Sequence, residues 1–374
     1  MTRKLTDILL TLSDGSERLS ALSPLSSANL NHQALASLSD LNTQELKQFQ
    51  DAWRTFSATR RLELIERLIE LAEEHVQYDY RPIFRWTLLD TDPAVRKRSI
   101  EALWEDERPR LIPVFQKLLQ DDTDADVRAT AAVALGQFVY WGELGTVDSP
   151  LVEDATQALW DCYLNESEDL LVRRRALEGI AASGRPGVAR LIESANYSGE
   201  PEMRASALFA MGRNADPRWI PYLLPELEQG DPELRLEAVR ALGELEARPA
   251  VRAIIQLIAV EVDAEIRMAA LTALGQIGGP DARRALEAAT EWEDDGPRVL
   301  GTGPRELGTA AIAEAALEEL LSSDGSTFEL INQVLGLDED EESGQDWDHE
   351  YTDDLLDQEL RDLLDDADEP GEER

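Results

Sequence analysis

The stretches D-P-E-L-R-L-E-A-V-R-A-L-G-E-L at 231–245 and D-A-E-I-R-M-A-A-L-T-A-L-G-Q-I-G at 263–278 share one phrase: an acidic residue, an apolar residue followed by Arg, then a run of Ala and Leu. In the first, Leu234, Ala238, Ala241, Leu242 and Leu245 fall at i, i+4, i+7, i+8 and i+11, and Ile266, Ala270, Ala273, Leu274 and Ile277 repeat that spacing in the second. Such spacing places the apolar residues on one face of a helix. The Asp ahead of each run supplies an N-cap, while Gly243 and Gly275 permit close approach or a loosened last turn.

The phrase recurs upstream as D-P-A-V-R at 92–96, D-A-D-V-R at 124–128, D-L-L-V-R at 169–173 and P-E-M-R at 201–204. The resulting arginines, Arg96, Arg128, Arg173, Arg204, Arg235 and Arg267, are separated by 32, 45, 31, 31 and 32 residues. A fixed period in this range is the mark of a helical solenoid. A second amphipathic stretch precedes several of the runs and often follows a proline, as in Pro113–Leu119, Pro221–Leu227 and Pro249–Ile258. The chain is therefore expected to be all-α, an α-solenoid with a helix pair in each repeat.

On the residues of 231–245 and 263–278 the chain resembles HEAT repeats, in the short bacterial form called phycobilisome-lyase-like, over residues 78–321. The period is shorter than the ~40–47 residues usual for HEAT, and the signature phrases of tetratricopeptide and ankyrin repeats are absent. The resemblance implies that the Arg-bearing helices line a concave face. Two enzyme groups resemble the same fold, deoxyhypusine hydroxylase and the bilin lyases. The first carries several His-Glu pairs for two irons, whereas this sequence has just one, His349-Glu350. The second supplies no residue here that carries bilin chemistry, and fold alone does not license an activity.

Four regions follow from the pattern. Residues 1–40 form a Ser- and Leu-rich lead, loosely packed, with a short helix around Leu5 to Leu12. Residues 41–77 hold two helices that lack the repeat phrase and are expected to cap the array, the second with Leu62, Ile65, Leu68, Ile69 and Ala72 on one face. Residues 78–321 are the solenoid, ending in an atypical helix at 304–320. Residues 322–374 are an acidic, largely disordered tail, in which Trp347, Tyr351 and Leu355, then Leu356, Leu360, Leu363 and Leu364, continue a helical seam.

The formal charge is -40, and residues 338–374 hold 19 acidic against 2 basic residues. Phosphate neutralisation needs a basic surface, so the charge argues against DNA or RNA as a ligand. One Cys, Cys162, excludes an intramolecular disulfide, and three histidines, His32, His75 and His349, offer little for a metal centre or a nucleophile–base pair. No cofactor is expected. No segment approaches the ~20 apolar residues of a membrane span, and the reading points to the cytoplasm.

Two sets of body residues are candidates for function. The six arginines either bind an acidic peptide or pair with acids at neighbouring repeat starts. Their recurrence favours stacking, at ~0.2–1 kcal/mol for each partly exposed pair. The longer unit between Arg128 and Arg173 brings Phe138, Tyr140 and Trp141 beside two glycines. As an insertion it is expected to form a loop, where the aromatics either contact a partner or plug a gap in the core. The seam in the tail is a third candidate for partner contact. The function expected is a non-catalytic scaffold or adaptor for another protein or peptide; the competing expectation is an enzyme or chromophore-handling protein related to bilin lyases.

Overall fold

The structure is a computed structural model, and it describes Leu9, Leu12, residues 32–290 apart from Gln229, and the helix Thr309–Ser323. Among these residues the regular elements are α-helices and short 3-10 turns, with no strand. The chain divides into two compact units, the first holding the described residues up to Phe138 together with 147–155, the second holding 139–146 and the residues from Thr156 onward.

In the first unit lie α1 (His32–Ala36), α2 (Thr43–Trp53), α3 (Ala58–Glu74), α4 (Arg81–Thr87), α5 (Pro93–Glu101), α6 (Leu111–Asp121) and most of α7 (Ala125–Glu143). Its core is aromatic at one end, where Phe49 and Trp53 pack against Trp86, and the buried Trp53 indole donates to Asp90 at 2.6 Å. The helix pair α2/α3, expected to cap the array, shares the buried register of the later repeats. Taking Ser57 as N-cap, the buried residues Leu64, Ile65 and Leu68 occupy the seventh, eighth and eleventh positions, the register of Ala238, Val239 and Leu242 after Asp231. The fourth position is Arg61, as in every repeat phrase. Arg60 stands where the others have an apolar residue, and it is buried because its Nε donates to the carbonyl of Leu12 at 2.8 Å. The pair is thus a repeat with one polar substitution. The buried edge of α3 therefore runs through Leu64 and Leu71, where the apolar pattern of the sequence favoured Leu62 and Ile69.

The second unit contains most of α8 (Leu151–Leu164), then α9 (Leu170–Ile180), α10 (Val188–Asn196), α11 (Pro201–Arg213), α12 (Ile220–Leu223), α13 (Pro232–Glu244), α14 (Val251–Val260), α15 (Ala264–Ile277), α16 (Pro280–Thr290) and α17 (Thr309–Ser323). The second helices α9, α11, α13, α15 and α17 pack on one another in that order, and α10, α14 and α16 each pack on the helix that follows. Asp169, Asp231 and Asp263 cap their helices by accepting from backbone amides, as Asp92 does in the first unit. Glu200, with its longer side chain, makes no such bond.

Small residues set the spacing of this row. A Cβ on Gly212 would meet the Ala241 backbone at 2.8 Å, one on Gly243 would meet Ala273 at 3.0 Å, and one on Gly275 would meet the Ala316 carbonyl at 3.0 Å. The stretch expected to be a helix at 221–227 is broken into a 3-10 turn, the single turn of α12 and another 3-10 turn at Leu224–Glu228. Pro217, Pro221 and Pro225 explain it, because each removes an amide donor and crowds the carbonyl four residues earlier.

The long unit after Arg128 also departs from expectation. Its extra residues divide between helix and loop: α7 runs on through Phe138, Tyr140 and Trp141 to Glu143, Gly145 with its φ of 75° ends the helix, and 144–150 form the non-helical connection, so the aromatics lie on the helix and not in the loop. The amides of Thr146 and Gly145 then bond back to the carbonyls of Trp141 and Gly142, closing a Schellman motif. Comparable helix ends at Ala215 and Glu246 place non-glycine residues at φ of 55° and 46°. Ala215→Gly is expected to raise stability by about 1 kcal/mol by relieving that conformation. Gly212→Ala is expected to lower stability by about 1–2 kcal/mol despite the better helix propensity of Ala, because backbone must move. Thermal melts of both variants measure the two signs.

Candidate functional site

The repeated arginines resolve into a ladder. In the first unit Arg61 pairs with Asp90 at 2.7 Å and Arg96 with Asp122 at 2.6 Å; in the second Arg204 pairs with Glu226 at 3.1 Å and Arg235 with Glu261 at 2.8 Å. Asp90, Asp122 and Glu261 lie two residues before the next N-cap and also accept from its amide, at 2.8, 2.9 and 3.1 Å. One carboxylate thus ties the preceding helix to the start of the following one. The acidic residue two before the N-cap, in D-T-D at 90–92, D-T-D at 122–124 and E-V-D at 261–263, is the signal that the repeat phrase alone omits.

The other arginines act differently. Arg128 donates to the Asp122 carbonyl at 2.8 Å, and Arg173 donates to the Tyr163 carbonyl at 3.0 Å, lying over the Tyr163 ring. Arg267 Nε is buried without a hydrogen-bond partner among the described residues. Burial raises the Glu261 carboxyl, but the Arg235 side chain and the amides of Asp263 and Val262 outweigh it and hold the group below its ordinary value.

These carboxylates are more enclosed than the sequence suggests: the Asp122 and Glu261 side chains are each only 4% exposed. Removing one partner of a pair this enclosed leaves an uncompensated charge, at a cost of about 3–5 kcal/mol. Asp122→Ala is therefore expected to lower the melting temperature sharply. Asp126→Ala, which breaks the exposed contact of Lys97 with Asp126 at 3.4 Å, should cost less than about 1 kcal/mol.

The ladder leaves the opposite face of the second helices open. In the second unit that face carries a groove of about 430 Å³ along α11, α13 and α15, floored by Phe209, Ala241, Met268 and Ala269 and rimmed by Glu237, Arg240, Glu244 and Glu265. Arg240 bridges Glu237 and Glu265, at 3.0 Å to each. Glu237 Oε2 is buried with no hydrogen-bond partner among the described residues. Burial raises the Glu237 carboxyl above its ordinary value against the pull of Arg240, and burial likewise raises Glu244 against Arg213.

Tyr140 belongs to the same neighbourhood. The Arg213 guanidinium stacks on its ring at 4.4 Å from the centroid, and Tyr140 and Trp141 are both half-buried. Phe138 is buried, its ring 6.3 Å from that of Phe115 in the first unit. A second hollow, of about 670 Å³, between residues 183–190 and 214–218, is lined by Arg185, Arg190 and Arg218. There Arg185 is held by Gln157 and stacks on Trp160, and Arg218 pairs with Asp216, so two of the three cations already serve the protein itself.

His32 and His75 pack edge to face at 5.2 Å beside Tyr78, and Cys162 is half-buried and in no disulfide. Among the described residues no group of three or more His, Cys, Asp or Glu is placed to hold a metal ion. No helix among them is long and apolar enough to cross a membrane. His349, Trp347, Tyr351, Leu355, Leu356, Leu360, Leu363 and Leu364 lie outside the described residues.

The family model described as HEAT repeats matches residues 82–181, 188–250 and 220–300, more than half of the chain, and the chain belongs to the HEAT-repeat family. No curated protein matches it. Among solved structures it is similar to the CpcE and CpcF complex of phycocyanin lyase from Nostoc sp. PCC7120, at 20% identity over 64% of this chain and 94% of that one, with a TM-score of 0.40. It is similar also to human deoxyhypusine hydroxylase in complex with glycerol, at 21% identity over 73% and 96%, with a TM-score of 0.31. Kap95p, from a structure with RanGDP, matches at 12% identity over 89% of this chain and 48% of that one, with a TM-score of 0.46. These likenesses transfer no activity, ligand or partner to the chain.

The raised Glu237 carboxyl gives a pH test of the groove. A carboxyl whose pKa is raised by folding binds its proton more tightly folded than unfolded, so its contribution to stability falls as pH rises from the ordinary 4.5 through the folded value. Glu237→Gln is expected to melt higher than the unsubstituted protein near neutral pH, with the difference shrinking as pH falls through the raised folded value towards 4.5 and levelling off below it. Melting curves across that range check both the sign and the window.

Proposed function

We propose that this protein is a non-catalytic interaction scaffold, which receives a segment of another protein on the open face of its second-helix row. One observation carries the reading. The groove over α11, α13 and α15 combines an apolar floor with a buried carboxylate oxygen, Glu237 Oε2, that no donor among the described residues satisfies. Membership of the HEAT-repeat family supports it, because arrays of stacked helix pairs present extended surfaces suited to binding. Arg96, Arg128, Arg173, Arg204 and Arg235 are engaged within the array, and the groove residues on the opposite helical face are left for contact.

The test is capture from the protein's own host after brief cross-linking, comparing the unsubstituted chain with a Met268→Glu/Thr272→Glu variant. Both positions line the groove, Thr272 exposed and Met268 half-buried. Partner recovery is expected to fall by about tenfold or more, equivalent to ~1.4 kcal/mol, with the helical signal unchanged. Equal recovery with both chains counts against the groove as the binding face.

A further inference from the structure

The chemistry of the groove also specifies its occupant, an inference that rests on the scaffold reading above. Of its rim residues, Glu237, Glu244 and Glu265 are carboxylates and Arg240 is the one cation. Arg240 is already divided between Glu237 Oε1 and Glu265. Glu237 Oε2 faces no donor among the described residues although it is buried. Glu244 has no ion pair in the ladder or on the rim, and Arg213, the cation that acts on it, is stacked on Tyr140. A buried carboxylate oxygen without a donor costs free energy that an incoming N–H group recovers.

Between these acids the floor is apolar: Phe209, Met268 and Ala269 are each half-buried, open on the groove side. Methionine and phenylalanine in such a place adapt to an aliphatic or aromatic side chain. A second copy of this chain is a poor occupant, because two molecules of formal charge -40 repel.

We propose that the groove binds a basic amphipathic segment of a partner protein, with an apolar side chain seated on Phe209 and Met268 and flanking Lys or Arg side chains reaching Glu237 and Glu244. The partner supplies the donors that the rim lacks and covers the floor at the same time. Arginine suits Glu237 best, since a planar fork that displaces the rim side chains covering the unpartnered oxygen donates to it while Arg240 keeps Oε1.

The test uses fluorescence anisotropy with labelled peptides of about two heptads. One is an amphipathic Lys–Leu peptide, the second replaces Lys by Glu, and the third keeps Lys but replaces Leu by Ser. The full-length protein is expected to bind the first at least about tenfold more tightly than either of the others, ~1.4 kcal/mol. Glu237→Gln/Glu244→Gln should weaken the first by a similar factor. The charge-matched variant Glu73→Gln/Glu74→Gln, at exposed positions of α3, should change it by less than about twofold.

Equal losses from the two double variants would show attraction to net charge alone and overturn the proposal. So would tight binding of the Glu–Leu peptide, failure of the Lys–Leu peptide to bind, or a dimer that Met268→Glu dissociates. The host capture separates the two levels of the argument. If the Met268→Glu/Thr272→Glu variant loses its partner while Glu237→Gln/Glu244→Gln keeps it, the scaffold reading stands and the basic segment does not. If neither variant loses it, both fall.

Discussion

An arginine four residues after the N-cap of one helix reaches a carboxylate two residues before the N-cap of the next. In three of the ion pairs the same carboxylate also accepts the amide that opens the following helix. Where this clamp forms, at Asp90, Asp122 and Glu261, it ties one second helix to the start of the next, and in the second unit the Gly-to-Ala contacts at 212–241 and 243–273 allow the backbones to meet closely. A charge pair enclosed to this extent is a weak source of net stability but a strong penalty against a shifted register. The glycines contribute the complementary restriction, since a side chain at Gly212 would hold α11 and α13 apart. Electrostatics on one face and steric closeness on another thus constrain the same geometry, and the third face, left uncommitted, is where the groove forms.

Much of this was legible in the sequence, for physical reasons that also explain the gaps. Apolar spacing in 231–245 and 263–278 gave the helices, because burial on one face imposes it. The hidden repeat at α2/α3 escaped the phrase because Arg60 takes the apolar position, and polar residues do not read as core until their acceptor is known. Leu12 lies 48 residues away in sequence. The broken helix at 217–228 was visible in its three prolines, yet a window rich in Leu suggested continuity. At 138–150 the added length was attributed to a loop, whereas the residues through Trp141 have ordinary helical preferences and the break waits for a glycine at positive φ. The ladder's arginines were found but not their acids, since the partner lies 22 to 29 residues downstream and its register appears only once helices are stacked.

The groove was not legible at all. Glu237, Glu244, Phe209 and Met268 come from three repeats, and on each helix they occupy positions that look like ordinary solvated surface. Their significance lies in adjacency: Arg240 cannot satisfy two carboxylates fully, and Arg213 is engaged by Tyr140. Tyr140, a candidate contact residue by its sequence, adjoins the groove through its stacked arginine, Arg213. Negative charge is distributed along the whole sequence, and among the described residues the groove sets an unsatisfied carboxylate oxygen beside half-buried apolar side chains.

The fifteenth residue after the N-cap has positive φ in three consecutive repeats, and it is Ala215, Glu246 and then Gly278. Glycine alone adopts that conformation without local cost, so two of these turns are held against the preference of their own residues. In a linear array this means that the isolated repeat is the unfavourable term and the interface between neighbours the favourable one. Such a chain has a cooperative length greater than a single helix pair: when one interface opens, the turn beside it has no reason of its own to persist, and the loss propagates along the row until an interface strong enough to stop it is reached. The structure is therefore better regarded as a set of boundaries that create their repeats than as a set of repeats that happen to touch.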